Sequence, residues 1–168
     1  MERVIKRLDS IHARVLEAIA PLAPATYNRR PQENEWSVAD IINHLFLVEE
    51  RVIKDLEKAL AREPKRLGLL RRMVPTSVVA VRLVRVKAPK AVQPELNSER
   101  RVTVNEFNLT RQKLKELCAT HGKERLRQTA FKHPFLGEIT GVATVSFVAY
   151  HEQRHYKQIR EVLKKLGV

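Results

Sequence analysis

His151 and His155 stand four residues apart in the run His-Glu-Gln-Arg-His. On a helix that spacing stacks two imidazoles on one face, about one turn apart, where both can bind a single divalent ion. Phe147, Val148, Ile159 and Val162 share the face, which turns it toward a protein interior. A third histidine, His44, lies in the stretch ADIINHLFLVEE on a stripe with Ile41, Leu45, Val48 and Val52. An inward imidazole from a second helix would complete a three-nitrogen site with one position open for water or substrate, the arrangement of catalytic rather than structural zinc. Such a site suits zinc, nickel, iron or copper. The competing reading makes all three core histidines that hydrogen-bond their neighbours. An adjacent pair weighs against it, because two buried rings need partners for both.

The run also fits the His-Glu-x-x-His pattern of zinc peptidases, in which the acid is a general base and a further ligand follows downstream. The thirteen residues after His155 hold no histidine and a single acid, Glu161. Glu152 is turned about 100° from the histidine face. The match therefore reads as a helical histidine pair beside a charged residue. Glu49, Glu50 and Glu152 are the acids that a hydrolytic mechanism could recruit, and solvated helix faces are their expected place. His133, ahead of Pro134, reads as a structural residue of a turn. His12 and His121 have no partners at metal spacing and read as surface or helix-end residues. Cys118, the single cysteine, reads as a small apolar filler near a helix end and excludes a disulfide framework or a Cys-rich zinc module.

Four amphipathic helices must position these side chains. The first is expected over Glu2 to Ala20, with Val4, Ile5, Leu8, Ile11, Val15, Leu16 and Ile19 on one face and Pro21 and Pro24 ending it. Ser37 followed by Asp40 has capping-box spacing, so the second helix starts there and runs to about Arg62. Trp36, just before the cap, would pack on its first turn. Thr103 with Glu106 repeats that spacing and predicts the start of the third helix, with Gly122 as its C-terminal stop. The fourth starts near Glu138 or Ile139 and reaches Leu166, and Gly137 permits the turn into it. Residues 64 to 94, cut by Pro75, Pro89 and Pro94, read as a long basic crossover between helices two and three. The expected fold is all-α, a four-helix bundle with that crossover, in one domain spanning residues 1–168.

The chain of 168 residues carries a net charge of +13, of which +8 falls in residues 62 to 101. Charge of that size attracts anionic partners. The segment has no aromatic residue for base stacking and no recognition motif, so contact with nucleic acid or another anionic partner by a non-catalytic basic protein is the alternative reading. No apolar run is long enough to span a bilayer and no signal peptide is visible. The expectation is a cytoplasmic protein with no membrane partner.

Two stretches, WSVADIINHL (Trp36 to Leu45) and HPFLGEITGVATVSFVAYHEQRHYKQI (His133 to Ile159), resemble the DinB-like superfamily of metalloenzymes, in which W-S…H-L precedes H-P-x-x-G-x-x-T…H-x-x-x-H. The resemblance covers most of the chain and is weakest in helix one and residues 64 to 94. It implies a four-helix bundle binding a divalent metal through His44, His151 and His155. It further implies an enzyme of transferase or hydrolase type acting on a small-molecule substrate. In the transferase case the substrate is a low-molecular-weight thiol. Relatives are often homodimers.

Overall fold

The computed structural model describes residues 1–65, 67–68, 75–80, 92–94, 100–133 and 135–168, the side chains of 100–103 aside. Among the described residues there are five α-helices: α1 (Glu2–Ile19), α2 (Pro24–Asn28), α3 (Val38–Leu60), α4 (Arg100–Arg127) and α5 (Gly141–Leu166). The four long ones, α1, α3, α4 and α5, form the expected bundle. Between α3 and α4 the described part of the crossover holds one 3-10 turn, Thr76–Ala80, packed on α5. Most of the basic crossover lies outside the described residues, including Arg66, Arg71, Arg72, Arg82, Arg85, Lys87 and Lys90.

The capping box before α3 forms as its spacing predicts. The Asp40 amide donates to Ser37 Oγ at 3.1 Å and the Ser37 amide donates to Asp40 Oδ2 at 2.9 Å, satisfying amides that the helix leaves free. Arg30 fixes the same carboxylate from the preceding loop through Nε and Nη2. The second predicted box does not start a helix, because α4 already runs from Arg100, ahead of Thr103. Gly122 does leave the helical region, at φ 68° and ψ 169°. It ends the long helical run at a kink, as expected of a stop, and a second short helical piece follows to Arg127.

The last helix begins later than expected. Residues before it form a small antiparallel hairpin, β1 (Ala130–His133) with β2 (Gly137–Thr140), in which Phe131 pairs with Ile139 and His133 with Gly137. Gly137, at φ 69°, serves this hairpin turn and not the entry into a helix. Thr140 caps α5, its Oγ1 accepting from the Ala143 amide at 3.1 Å. Gly141 then brings the start of α5 against the end of α4. Its amide donates to the Thr129 carbonyl, and a Cβ there would sit 2.9 Å from the Leu126 carbonyl oxygen.

The core has two apolar halves separated by a charged layer. One half holds Leu8, Val52, Leu114 and Val148; the other holds Val15, Leu45, Phe107 and Ile159. Between them each long helix contributes one buried polar residue: His12, Glu49, Arg111 and Glu152. Arg111 donates to Glu49 through Nε (2.8 Å) and Nη2 (3.1 Å), to Glu152 Oε2 (2.8 Å) and to the Leu8 carbonyl (2.8 Å). His12 Nδ1 meets Glu152 Oε1 at 3.1 Å and its Nε2 meets Asn108 Oδ1 at 2.8 Å. The layer corrects three expectations. Glu49 and Glu152 are 1% exposed and not solvated, and His12 is a buried member of an ion-pair network and not a surface residue. Buried charges survive only when paired and hydrogen-bonded, and here every one of them is.

Candidate metal centre

His44 is carried by the second turn of α3, and His151 and His155 by the middle of α5. One ligand nitrogen from each lies within 4.8 Å of the others. The bundle thus gathers the three histidines singled out by spacing. His44 and His155 are buried and His151 is half-buried.

The partners of the rings decide which nitrogens are free. His44 Nδ1 lies 2.6 Å from the Val92 carbonyl oxygen. A carbonyl only accepts, so Nδ1 carries the proton and Nε2 keeps its lone pair. His155 Nδ1 likewise faces Gln158 Oε1 at 2.8 Å, which leaves its Nε2 as a lone pair. That atom is 3.2 Å from His151 Nε2. Two imidazole nitrogens can face each other so closely only when a proton or a cation lies between their lone pairs. The donor set fits a divalent ion: three nitrogens converge, and two of the rings are held from behind by hydrogen bonds that fix tautomer and orientation.

Electrostatics agrees with geometry. Burial lowers the pKa of His44, against the opposing pull of the Val92 carbonyl. His151 and His155 fall well below the ordinary histidine value, chiefly by burial, with the neighbouring imidazoles and Arg154 adding to it. Neutral rings are the metal-binding form, with no proton to displace at neutral pH.

Aromatic rings wall the cluster. Trp36 lies 4.9 Å from the His44 ring and 6.2 Å from His155, so it lines the site in addition to sitting at the helix entry where spacing put it. Phe147 stacks on His151 at 5.4 Å, and His133 meets Phe147 edge-on at 4.3 Å. His133 itself turns away to its own hairpin, where Nδ1 accepts from the Phe135 and Leu136 amides at 3.1 Å each. Its structural role in the turn is as expected.

The remaining acids are elsewhere. Glu152, next to His151 in sequence, is turned from the cluster toward Arg111 and His12, which hold it. Glu49 is held by Arg111. Glu50 pairs with Lys54 at the surface, as expected of a solvated acid. Sequence reasoning missed Arg111, although it falls between Phe107 and Leu114 on an apolar stripe. A charged residue at such a position signals a buried pair. His121 is exposed, and Cys118 is buried and free.

A four-helix bundle with three convergent histidines on two of its helices defines the class. The chain belongs to the DinB superfamily, which residues 3–159 match. Among curated proteins it is similar to the uncharacterized protein YuaE of Bacillus subtilis (strain 168), at 26% identity over 148 residues, 86% of this chain and 88% of that one. Among solved structures it is similar to YfiT from Bacillus subtilis, described as a probable metal-dependent hydrolase with an unusual four-helix bundle topology. The TM-score is 0.70 at 14% identity, covering 99% of this chain and 87% of that chain. Among the described residues no helix is long and apolar enough to cross a membrane.

Proposed function

We propose that this protein is a metal-dependent enzyme that holds one divalent ion, zinc, nickel or iron, through His44, His151 and His155 and acts on a small-molecule substrate. The observation that carries the reading is the convergence of three neutral imidazoles, two of them fixed from behind by Val92 and Gln158. The ion supplies Lewis acidity, lowering the pKa of a water or thiol taken up at its open position. The chain does the rest. Val92 and Gln158 hold the donor nitrogens in register, and Trp36 and Phe147 exclude bulk water from one side of the cluster.

Group transfer from a low-molecular-weight thiol is the reaction type the surroundings favour. Base-assisted hydrolysis needs a carboxylate free to take a proton beside the site. The two buried acids nearest in sequence, Glu49 and Glu152, are both committed to Arg111. Hydrolysis is the second reading, favoured by the likeness to YfiT.

Metal content of tag-free protein, measured by inductively coupled plasma mass spectrometry beside a His151→Ala, His155→Ala double variant, tests the site. Near-stoichiometric metal in the parent and none in the variant is expected. A parent that stays empty after reloading with zinc, nickel and iron overturns the proposal. Metal-dependent consumption of a thiol in the presence of an electrophile, without release from p-nitrophenyl esters, is expected to separate transfer from hydrolysis.

A further inference from the structure

The two helices that carry the three histidines are joined a second time, by Arg111. His44 and Glu49 stand on α3, and His151, Glu152 and His155 stand on α5. Glu49 lies five residues past His44, about 7.5 Å along the helix, and Glu152 falls between the two histidines of α5. Arg111, from α4, holds both acids at once. Its Nε and Nη2 donate to Glu49 at 2.8 and 3.1 Å, and Nη2 also donates to Glu152 Oε2 at 2.8 Å. Its Nη1 donates to the Leu8 carbonyl of α1 at 2.8 Å. All three side chains are buried, so water does not compete for these bonds.

Stability alone does not call for such a bridge, because apolar side chains in place of a buried ion triad are often neutral or stabilising. What the guanidinium adds is direction. A planar fork bonded to two carboxylates accepts a narrow range of positions for both. The apolar layers on either side also contain both helices, Leu45 with Ile159 in one and Val52 with Val148 in the other. Hydrophobic attraction is non-directional, and a core of the right volume loses uniqueness before it loses stability. A metal site tolerates little such slack, since its donors must lie within about 0.5 Å of the working geometry. His44 comes from α3 and the other two donors from α5. Their gathering within 4.8 Å therefore depends on how those two helices lie against each other, which Arg111 fixes.

We propose that Arg111 is a positioning residue that sets the place of α3 against α5, and through it the approach of His44 to His151 and His155. This rests on the reading of the three histidines as metal ligands and adds to it the part of the fold that tunes their geometry. Arg111 acts through the two helices and not on the ion.

Cobalt(II) titration followed by visible absorption tests this, because the bands report coordination geometry as well as affinity. Arg111→Met alone would leave Glu49 without its cation, so the whole triad is exchanged as Glu49→Leu, Arg111→Met and Glu152→Gln, the amide keeping an acceptor for His12. This variant is expected to keep the helical circular dichroism of the parent, to bind cobalt about ten-fold more weakly and to shift the bands. Arg111→Lys, which keeps the charge and loses the fork, should fall between the two. Leu114→Ala, which loosens apolar packing on the same helix, is expected to lower the melting temperature with parent affinity and bands. Parent-like cobalt binding in the folded triple variant overturns the proposal. If that variant does not fold, Arg111→Lys decides in the same way. An equal loss of affinity in Leu114→Ala also overturns it, since any loosening of the bundle would then suffice. A parent that takes up no cobalt identifies failure of the metal reading itself, and the proposal falls with it.

Discussion

The Nε2 atoms of His151 and His155 face one another across 3.2 Å, with His44 reaching the same point from α3. A cation bound there would replace the proton between the two rings and add His44 as a third donor, so the ion should stabilise the folded protein. At a free concentration one hundred times its dissociation constant, a ligand specific to the native state adds about 2.7 kcal/mol. Thermal melts with and without added zinc are expected to separate by several degrees in the parent and to coincide in His44→Ala. Coincident melts in both would refute binding at this cluster.

Arg111 lies between two carboxylates that, among the described residues, have no other cation of fixed charge. Arg111→Met leaves Glu49 buried and without its cation and Glu152 with His12 alone, and breaking a buried pair costs about 3–5 kcal/mol. Chemical denaturation is expected to report a loss of that order at neutral pH. Glu152→Gln, which keeps the shape and part of the hydrogen bonding, should cost less. It should also leave metal content untouched, whereas an acid serving the ion directly would alter the site when replaced.

His133 accepts two backbone amides through Nδ1, which requires a lone pair there. Burial lowers its pKa below the ordinary value of 6.5. A group depressed on folding contributes stability that is present above its unfolded pKa and is lost as pH falls through the folded one. The hairpin turn should therefore loosen only below about pH 6.5. Amide exchange at Phe135 and Leu136 is expected to accelerate beyond its intrinsic pH trend on acidification, and His133→Leu should abolish the transition by removing the acceptor at every pH.

The Cys118 thiol is buried, and burial pushes its pKa up to about 11. The thiolate is the reactive form. Iodoacetamide at pH 8 should leave the native protein nearly unmodified and label it quickly in denaturant. Rapid labelling of the native protein would show that the α4 packing around Cys118 opens readily.

Gly141 has no room for a side chain against Leu126. Gly141→Ala must push the start of α5 off the end of α4, and overpacking of this kind costs about 1–3 kcal/mol. A lowered melting temperature checks it, and an unchanged one would mean the contact relaxes without strain.

The sequence by itself determined the four long helices and singled out the three histidines that the bundle gathers. Apolar spacing is a local property of one element, and capping at Ser37 and Asp40 involves neighbours three residues apart, so both are legible from the chain. The histidine stripe on α5 and the stripe of His44 are legible for the same reason. The hairpin before α5 was not, because its two strands of four residues are stabilised by pairing with each other and by contact with α3 and α5, not by a local pattern. Glu152 shows the division most clearly. Its angle on the helix follows from the sequence and separates it from His151 and His155. Whether that direction was water or core depended on Arg111, forty-one residues away in the chain, and on His12 and Glu49 from two further helices. A charge is buried only where opposite charges from other elements meet it, and that meeting exists only in the folded bundle.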